Sequence, residues 1–157
     1  MHYCMRGGCS KHNFGVSMRL FIVTFMVIFG LMSTPAWAAR VEARVDLSEQ
    51  KMKVYHGGKL KYSFRISSGK KGFRTPTGRW GVTRMHRKYF SRKYHGAPMP
   101  NSIFFYRGYA IHGTNKVSRL GRPASHGCIR LAPGNARALF NLVKANGRHN
   151  FRVKITH

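Results

Sequence analysis

The chain has 157 residues, with 29 Lys and Arg against 3 Asp and Glu, for a formal net charge of +26. That length suits one domain with one modest hydrophobic core, and so few carboxylates argue against calcium or magnesium sites. The cationic excess implies an anionic partner, attracted over long range.

Residues 1–38 read as a signal peptide, with Met5 or Met18 as alternative starts. After Met18, Arg19 supplies a positive flank, and Leu20 to Met32 forms an apolar run. The run is short of the roughly 20 residues a bilayer span needs. Ala36-Trp37-Ala38 has small residues where a signal peptidase reads them, so cleavage is expected before Ala39. The domain, 39–157, is then exported to the periplasm or cell wall. There the anionic partner is an envelope surface, a wall polymer or an acidic membrane, ahead of nucleic acid. Cys4 and Cys9 leave with the leader, so Cys128 has no disulfide partner within the domain. An unpaired thiol in an exported protein is a bridge to another chain, an inert buried residue or a reactive group.

Val41 to Leu47 alternates apolar and polar residues, as a half-buried strand does. Lys51 to Tyr55 is a second strand, and Gly57-Gly58 supplies a hairpin turn into Leu60 to Ile66. Residues 67–78 (SSGKKGFRTPTG) form a loop, and Arg79 to Met85 a further strand. His86 to Pro100 is basic and irregular, a long surface loop or flap. Ile103 to Tyr106 and Tyr109 to His112 make a hairpin that delivers His112 at a strand end. Pro133 opens the clear α-helix, about 133–146; Ala136, Leu139, Phe140 and Val143 recur on one face, and Gly147 stops it. Phe151 to Ile155 closes the chain as a strand. The expected fold is mainly β, a single sandwich-like domain with one helix.

The stretch Pro123-Ala124-Ser125-His126-Gly127-Cys128-Ile129-Arg130 concentrates the chemistry. A thiol attacks as its thiolate, and neighbouring cations lower its pKa. Arg122 and Arg130 flank Cys128, with no carboxylate nearby in sequence. A Cys nucleophile also needs a base and a group to orient that base. His126 and His112 are both candidates: the first is two residues from the thiol, the second on a separate strand. Unless one of the three early acids, Glu42, Asp46 or Glu49, reaches the site, the orienting group is a backbone carbonyl or a polar residue such as Ser125 or Asn115. Gly127 permits φ > 0 or close backbone approach, and the Gly127 and Cys128 N–H groups are candidates to face an oxyanion. A zinc site from His95, His112, His126 and Cys128 has suitable ligand types, but its spacing matches no compact zinc motif. No metal or other cofactor is expected.

Taken together, His112-Gly113-Thr114 and Ser125-His126-Gly127-Cys128-Ile129-Arg130 resemble the active-site signature of the L,D-transpeptidases, the YkuD-like family. Asp46-Leu47-Ser48-x-Gln50, Ser67-Ser68-Gly69-Lys70, Thr75-Pro76-Thr77-Gly78 and Leu120-Gly121-x-Pro123-Ala124 extend the resemblance over residues 41–156. The resemblance implies a cofactor-free catalytic β-sandwich acting on peptidoglycan stem peptides. It implies Cys128 as nucleophile, His112 as general base and the Gly113 carbonyl as the group that orients it. His126, Gly127 and Cys128 would supply the oxyanion hole, with Ser125 and His126 shaping the pocket. Arg130 would support the site or meet a substrate carboxylate. The acyl acceptor is a stem amine, an envelope-protein amine or water, the last making an L,D-carboxypeptidase. The rival from another class is a non-catalytic polycationic envelope-binding protein.

Overall fold

Val41, Ala43 and Val45 point inward along β1 (Val41–Asp46), and Glu42, Arg44 and Asp46 point out. This is the two-residue period of a strand with one buried face. The computed structural model describes residues 40–157. The leader, its alternative starts, its cleavage site before Ala39, and Cys4 and Cys9 lie outside the described residues.

Strand β2 (Lys51–His56) turns through Gly57-Gly58, at φ 56° and 79°, into β3 (Lys59–Arg65). The closing strand β11 (Phe151–Thr156) lies parallel beside β1 and antiparallel to β4 (Gly78–Gly81). These form a five-stranded sheet in the order β3-β2-β1-β11-β4. A second sheet has the order β10-β9-β8-β5. It is built from β5 (Arg84–His86), β8 (Ser102–Tyr106), β9 (Tyr109–Gly113) and β10 (Ile129–Leu131).

The two sheets share one core. Val41, Met52, Val153 and Ile155 enter it from the first sheet, and Ile103, Phe105, Ile111, Ile129 and Leu131 from the second. Helix α1 (Pro133–Asn146) adds Ala136, Leu139, Phe140 and Val143, the face its periodicity marked. Among the described residues, the mainly β, sandwich-like fold with one α-helix over 133–146 is as the sequence led one to expect.

Two segments differ from expectation. Arg79 to Met85 is not one strand. It breaks at Val82-Thr83, where the chain passes from the first sheet to the second. The Thr83 N–H and hydroxyl both donate to the Phe104 carbonyl, at 2.9 and 3.2 Å, and pin that corner. Residues 86–100 are also more ordered than a plain loop. They carry a miniature hairpin, β6 (Phe90–Ser91) with β7 (Ala97–Pro98), closed by a 3₁₀ turn at Arg92–Tyr94.

The three carboxylates all sit at β1 and the turn after it. Glu42 pairs with Arg44 at 2.9 Å and with Arg79 at 3.9 Å, and Glu49 with Lys51 at 3.6 Å. Asp46 instead accepts from the Ser48 hydroxyl and the Glu49 N–H. The second sheet, the 86–100 segment and helix α1 therefore carry cations and no acidic side chain.

Candidate active site

Alternation assigns two jobs to β9 and β10. Ile111, Ile129 and Leu131 face the sandwich core. Ala110 and Cys128 belong to a separate small cluster with Met99, Phe104 and Tyr89 on the opposite face. That face is roofed by the 86–100 flap, and the space between is a cavity of about 890 Å³. Cys128, His112, His126 and Arg130 all line it.

Strand register brings His112 to Cys128. The parallel pairing sets Arg130 beside His112 and Ile129 beside Ile111, so Cys128, just before β10, lies beside Ala110. His112 and Cys128 are then diagonal neighbours on one face, the relation that places Cα atoms roughly 7–8 Å apart and long side chains within reach. Sixteen residues of sequence separation disappear in one strand pairing.

The His112 ring is buried, and its Nδ1 lies 2.8 Å from the Gly113 carbonyl. A carbonyl only accepts, so Nδ1 carries the proton and Nε2 keeps its lone pair. Burial first, and then the Arg130 charge, depress the His112 pKa from 6.5 to about 4; the Gly113 bond opposes them. The imidazole is neutral at neutral pH.

The flanking cations do not produce a low thiol pKa. Burial pushes the Cys128 thiol above its ordinary value, outweighing a hydrogen bond from the Ala110 backbone and the charges of Arg130 and Lys93. Desolvation disfavours the charged form in both groups, so the resting pair is a neutral thiol and a neutral imidazole. Sequence shows charges near a thiol but not how much water is left to it.

His126 is placed quite differently. Its ring stacks on Tyr94 of the flap at 4.8 Å and meets Phe73 of the 67–78 loop edge-on at 4.6 Å. Burial, then Lys70 and Arg130, lower its pKa. Among the described residues its ring has no hydrogen-bonded orienting group, which the His112 ring has. His126 joins flap to loop over the cavity, and nothing fixes its tautomer toward the thiol.

The turn carrying the thiol is held from inside. Ser125 is fully buried; its hydroxyl donates to the Cys128 carbonyl at 2.6 Å and accepts from the Gly127 N–H at 3.0 Å. It does not line the cavity, and it shapes the site through the backbone. Gly127 has φ 106°, and a Cβ there would lie 2.5 Å from Tyr109 Cε1, so both conformation and space demand glycine. At Gly113 a Cβ would press on Pro100 and Ala136 at 3.2–3.3 Å. Arg130 is half-buried, with Nη1 donating to the Ala124 carbonyl at 3.2 Å. His95 lines the same cavity, but no group of three His, Cys, Asp or Glu side chains able to hold a metal ion occurs among the described residues.

Several supporting residues had no role assigned from sequence. Gln50 is buried, donates to Ser68 Oγ at 2.7 Å and accepts from the Ser68 N–H at 2.9 Å. The Ser68 carbonyl in turn accepts from the Ala124 and Ser125 N–H groups. Thr75 Oγ1 donates to the Gly127 carbonyl at 2.8 Å and accepts from the Gly69 N–H at 2.9 Å. The Ser67-Ser68-Gly69 and Thr75-Pro76-Thr77-Gly78 stretches were visible as landmarks. The signal available was their small polar residues, which bond backbone in turns. Thr75→Val keeps the shape but orphans two backbone groups. The expected loss is about 1–3 kcal/mol per orphaned buried group, read as a lowered urea midpoint with an unchanged slope. A midpoint matching the parent would remove Thr75 from this role.

Residues 40–155 match the L,D-transpeptidase catalytic domain family, YkuD. No curated protein matches the chain. Among solved structures, an L,D-transpeptidase from Mycobacterium smegmatis is similar at 21% identity and TM-score 0.66, over 76% of this chain and 59% of that one. One from Stackebrandtia nassauensis is similar at 24% identity and TM-score 0.66, over 75% and 56%. L,D-transpeptidase 3 from Mycobacterium tuberculosis, in complex with a faropenem-derived adduct, is similar at 18% identity and TM-score 0.67, over 76% and 61%. The chain thus spans less than two thirds of the length of each. The domain match covers the strand that carries His112, the turn that carries Cys128 and the loops that brace them, and by it the chain belongs to the YkuD family of L,D-transpeptidase catalytic domains.

Proposed function

We propose that this domain is a cysteine-dependent L,D-transpeptidase acting on peptidoglycan stem tetrapeptides through a thioester. The observation that carries the reading is the His112–Cys128 arrangement on the cavity floor, with the His112 tautomer fixed by the Gly113 carbonyl. Cys128 Sγ attacks the carbonyl carbon of the residue before the terminal D-residue, and its proton passes to His112 Nε2. Both groups rest neutral, so this transfer accompanies attack; no thiolate–imidazolium pair is stored beforehand. The oxyanion is met by backbone N–H groups of the Cys128 turn. Those of His126 and Cys128 are the donors proposed, because Gly127 already donates to Ser125 Oγ. The C–N bond then breaks, the leaving amine takes the proton from His112, and the terminal D-amino acid departs.

An acceptor amine attacks the thioester carbonyl carbon and gives a proton to His112 Nε2; the C–S bond then breaks, and the departing Sγ takes that proton back, which restores the Cys128 thiol and the neutral imidazole. A stem amine yields a 3→3 cross-link, and an amine of an envelope protein anchors that protein to the wall. Water in the same step gives an L,D-carboxypeptidase. The reading places the domain in the periplasm or wall, after loss of residues 1–38, where the cationic surface meets the anionic envelope. A purely envelope-binding role accounts for the charge and leaves the oriented His112 and braced Cys128 without a purpose.

Incubation of residues 39–157 with a disaccharide tetrapeptide is expected to release the terminal D-amino acid, read by mass spectrometry. Added acceptor should yield cross-linked product, distinct from the hydrolysed tripeptide. An unchanged tetrapeptide, with and without acceptor, would overturn the enzyme reading.

A further inference from the structure

The second sheet lays out one lateral row across the cavity floor. Arg84 of β5 pairs with Phe104 of β8, Phe104 with Ala110 of β9, and Ala110 lies beside Cys128 by the β9–β10 register. Phe104 is 2% exposed and held edge-on by Tyr89 at 5.0 Å and by His86 at 6.0 Å. Over its ring, 4.0 Å from the centroid, sits the Arg84 guanidinium. Arg84 is itself exposed, at the cavity's edge, and the contact holds its charge over the floor, since a cation over an aromatic face is attracted by the ring.

Among the described residues Arg84 has no anionic partner. Every ion pair among the described residues uses Glu42 or Glu49, on the other sheet. Arg92, Lys93, Arg107, Lys116 and Arg130 line the same cavity, and no carboxylate does. A fork of N–H donors without a counter-ion, steadied over a ring where it lines a cavity, matches the geometry of a carboxylate. Phe104 is two strands from Cys128, which at about 4.8 Å per strand puts the guanidinium roughly 10 Å along the floor from the nucleophile. An extended peptide covers that distance in about three residues.

We propose that Arg84 over Phe104 is a carboxylate-reading subsite. It binds a free side carboxylate of the donor peptide about three residue lengths from the scissile carbonyl, so acidic donors are taken and their amidated counterparts are disfavoured. The proposal rests on the acyl-transfer reading of Cys128 and adds to it the ionisation state of the donor.

Binding tests the subsite without relying on turnover. Cys128→Ala protein is titrated calorimetrically with a stem tetrapeptide bearing its side carboxylates, and with the same peptide amidated there. The acid should bind about 10-fold or more tightly, the scale of one charge-assisted contact. Arg84→Gln in the same background should shrink that preference to within about 2-fold, and Arg84→Lys should keep an intermediate preference, since it retains the charge but not the fork. Lys154→Gln, on the outer face of the other sheet, should leave it unchanged. Equal binding of acid and amide by protein with Arg84, or a preference that survives Arg84→Gln, overturns the proposal. No binding of either peptide overturns it as well. Failure of the acyl-transfer reading shows separately, as no turnover of either donor by protein with Cys128.

Discussion

Cys128→Ala is expected to abolish release of the terminal D-amino acid, lowering turnover by at least about 10³-fold. Loss of a covalent nucleophile removes the whole two-step route and leaves only binding and oxyanion stabilisation. Cys128→Ser should be nearly as inactive. A hydroxyl is a weaker acid than a thiol, and burial has made His112 a weak base, with a pKa of about 4. That base suffices for a thiol proton that moves as attack proceeds; for an alkoxide it falls far short. A carbapenem provides an independent reading. Intact protein with Cys128 should gain the mass of one acyl adduct, and Cys128→Ala should gain none. Cys128 borders the small Met99–Phe104–Ala110 cluster, so loss of its sulfur should cost only about 1 kcal/mol and leave the fold in place. Turnover by Cys128→Ala within tenfold of the parent would end the covalent mechanism. Wall binding that persists while turnover is lost would end the binding-only alternative.

Most strands of the two sheets were legible because alternation needs only local residues. Val41, Ala43 and Val45 announce an inward face whatever lies opposite. The helix was legible for the same reason, with Pro133 before its apolar stripe and Gly147 after it. The break at Val82-Thr83 was not. A strand that changes sheets keeps its local pattern and alters only its partners, which here are β11 before the corner and β8 after it. Strand β10 was missed because three residues are too few to show a period.

The site divides along the same line. Cys128 and His112 stand out by residue type, but the pairing that makes them neighbours belongs to the sheet. Arg130 and Arg122 near the thiol suggested an activated thiolate, and burial reverses that balance. Desolvation is a sum over everything packed around a group, so no short stretch of sequence contains it. Arg84 offered still less. Its significance lies in a ring twenty residues away and in the absence of any carboxylate near it.

The second large effect belongs to His112. His112→Asn should reduce turnover by about 10²–10⁴-fold, the usual worth of a positioned base. The pH profile separates a base from a structural residue. In the parent protein the imidazole stays neutral down to about pH 4, so activity should persist through pH 6 and fall only as the ring protonates. In the variant, attack depends on free thiolate alone. Its residual rate should then climb with pH through the neutral range toward the raised pKa of Cys128. Stability carries a second signature. Unfolded His112 takes a proton near 6.5 and the folded ring only near 4, so the unfolded state binds more protons between those values. The contribution is therefore fully present above pH 6.5 and is lost as pH falls to 4, by on the order of 3 kcal/mol. His112→Asn has no such group. Its loss of the Gly113 bond is independent of pH and shifts its whole curve, so the parent should lose more stability than the variant between pH 7 and pH 4.5 in urea. Parallel losses would show that the His112 ring is not held neutral by burial, and a variant rate with the parent's pH dependence would show that it is not the base.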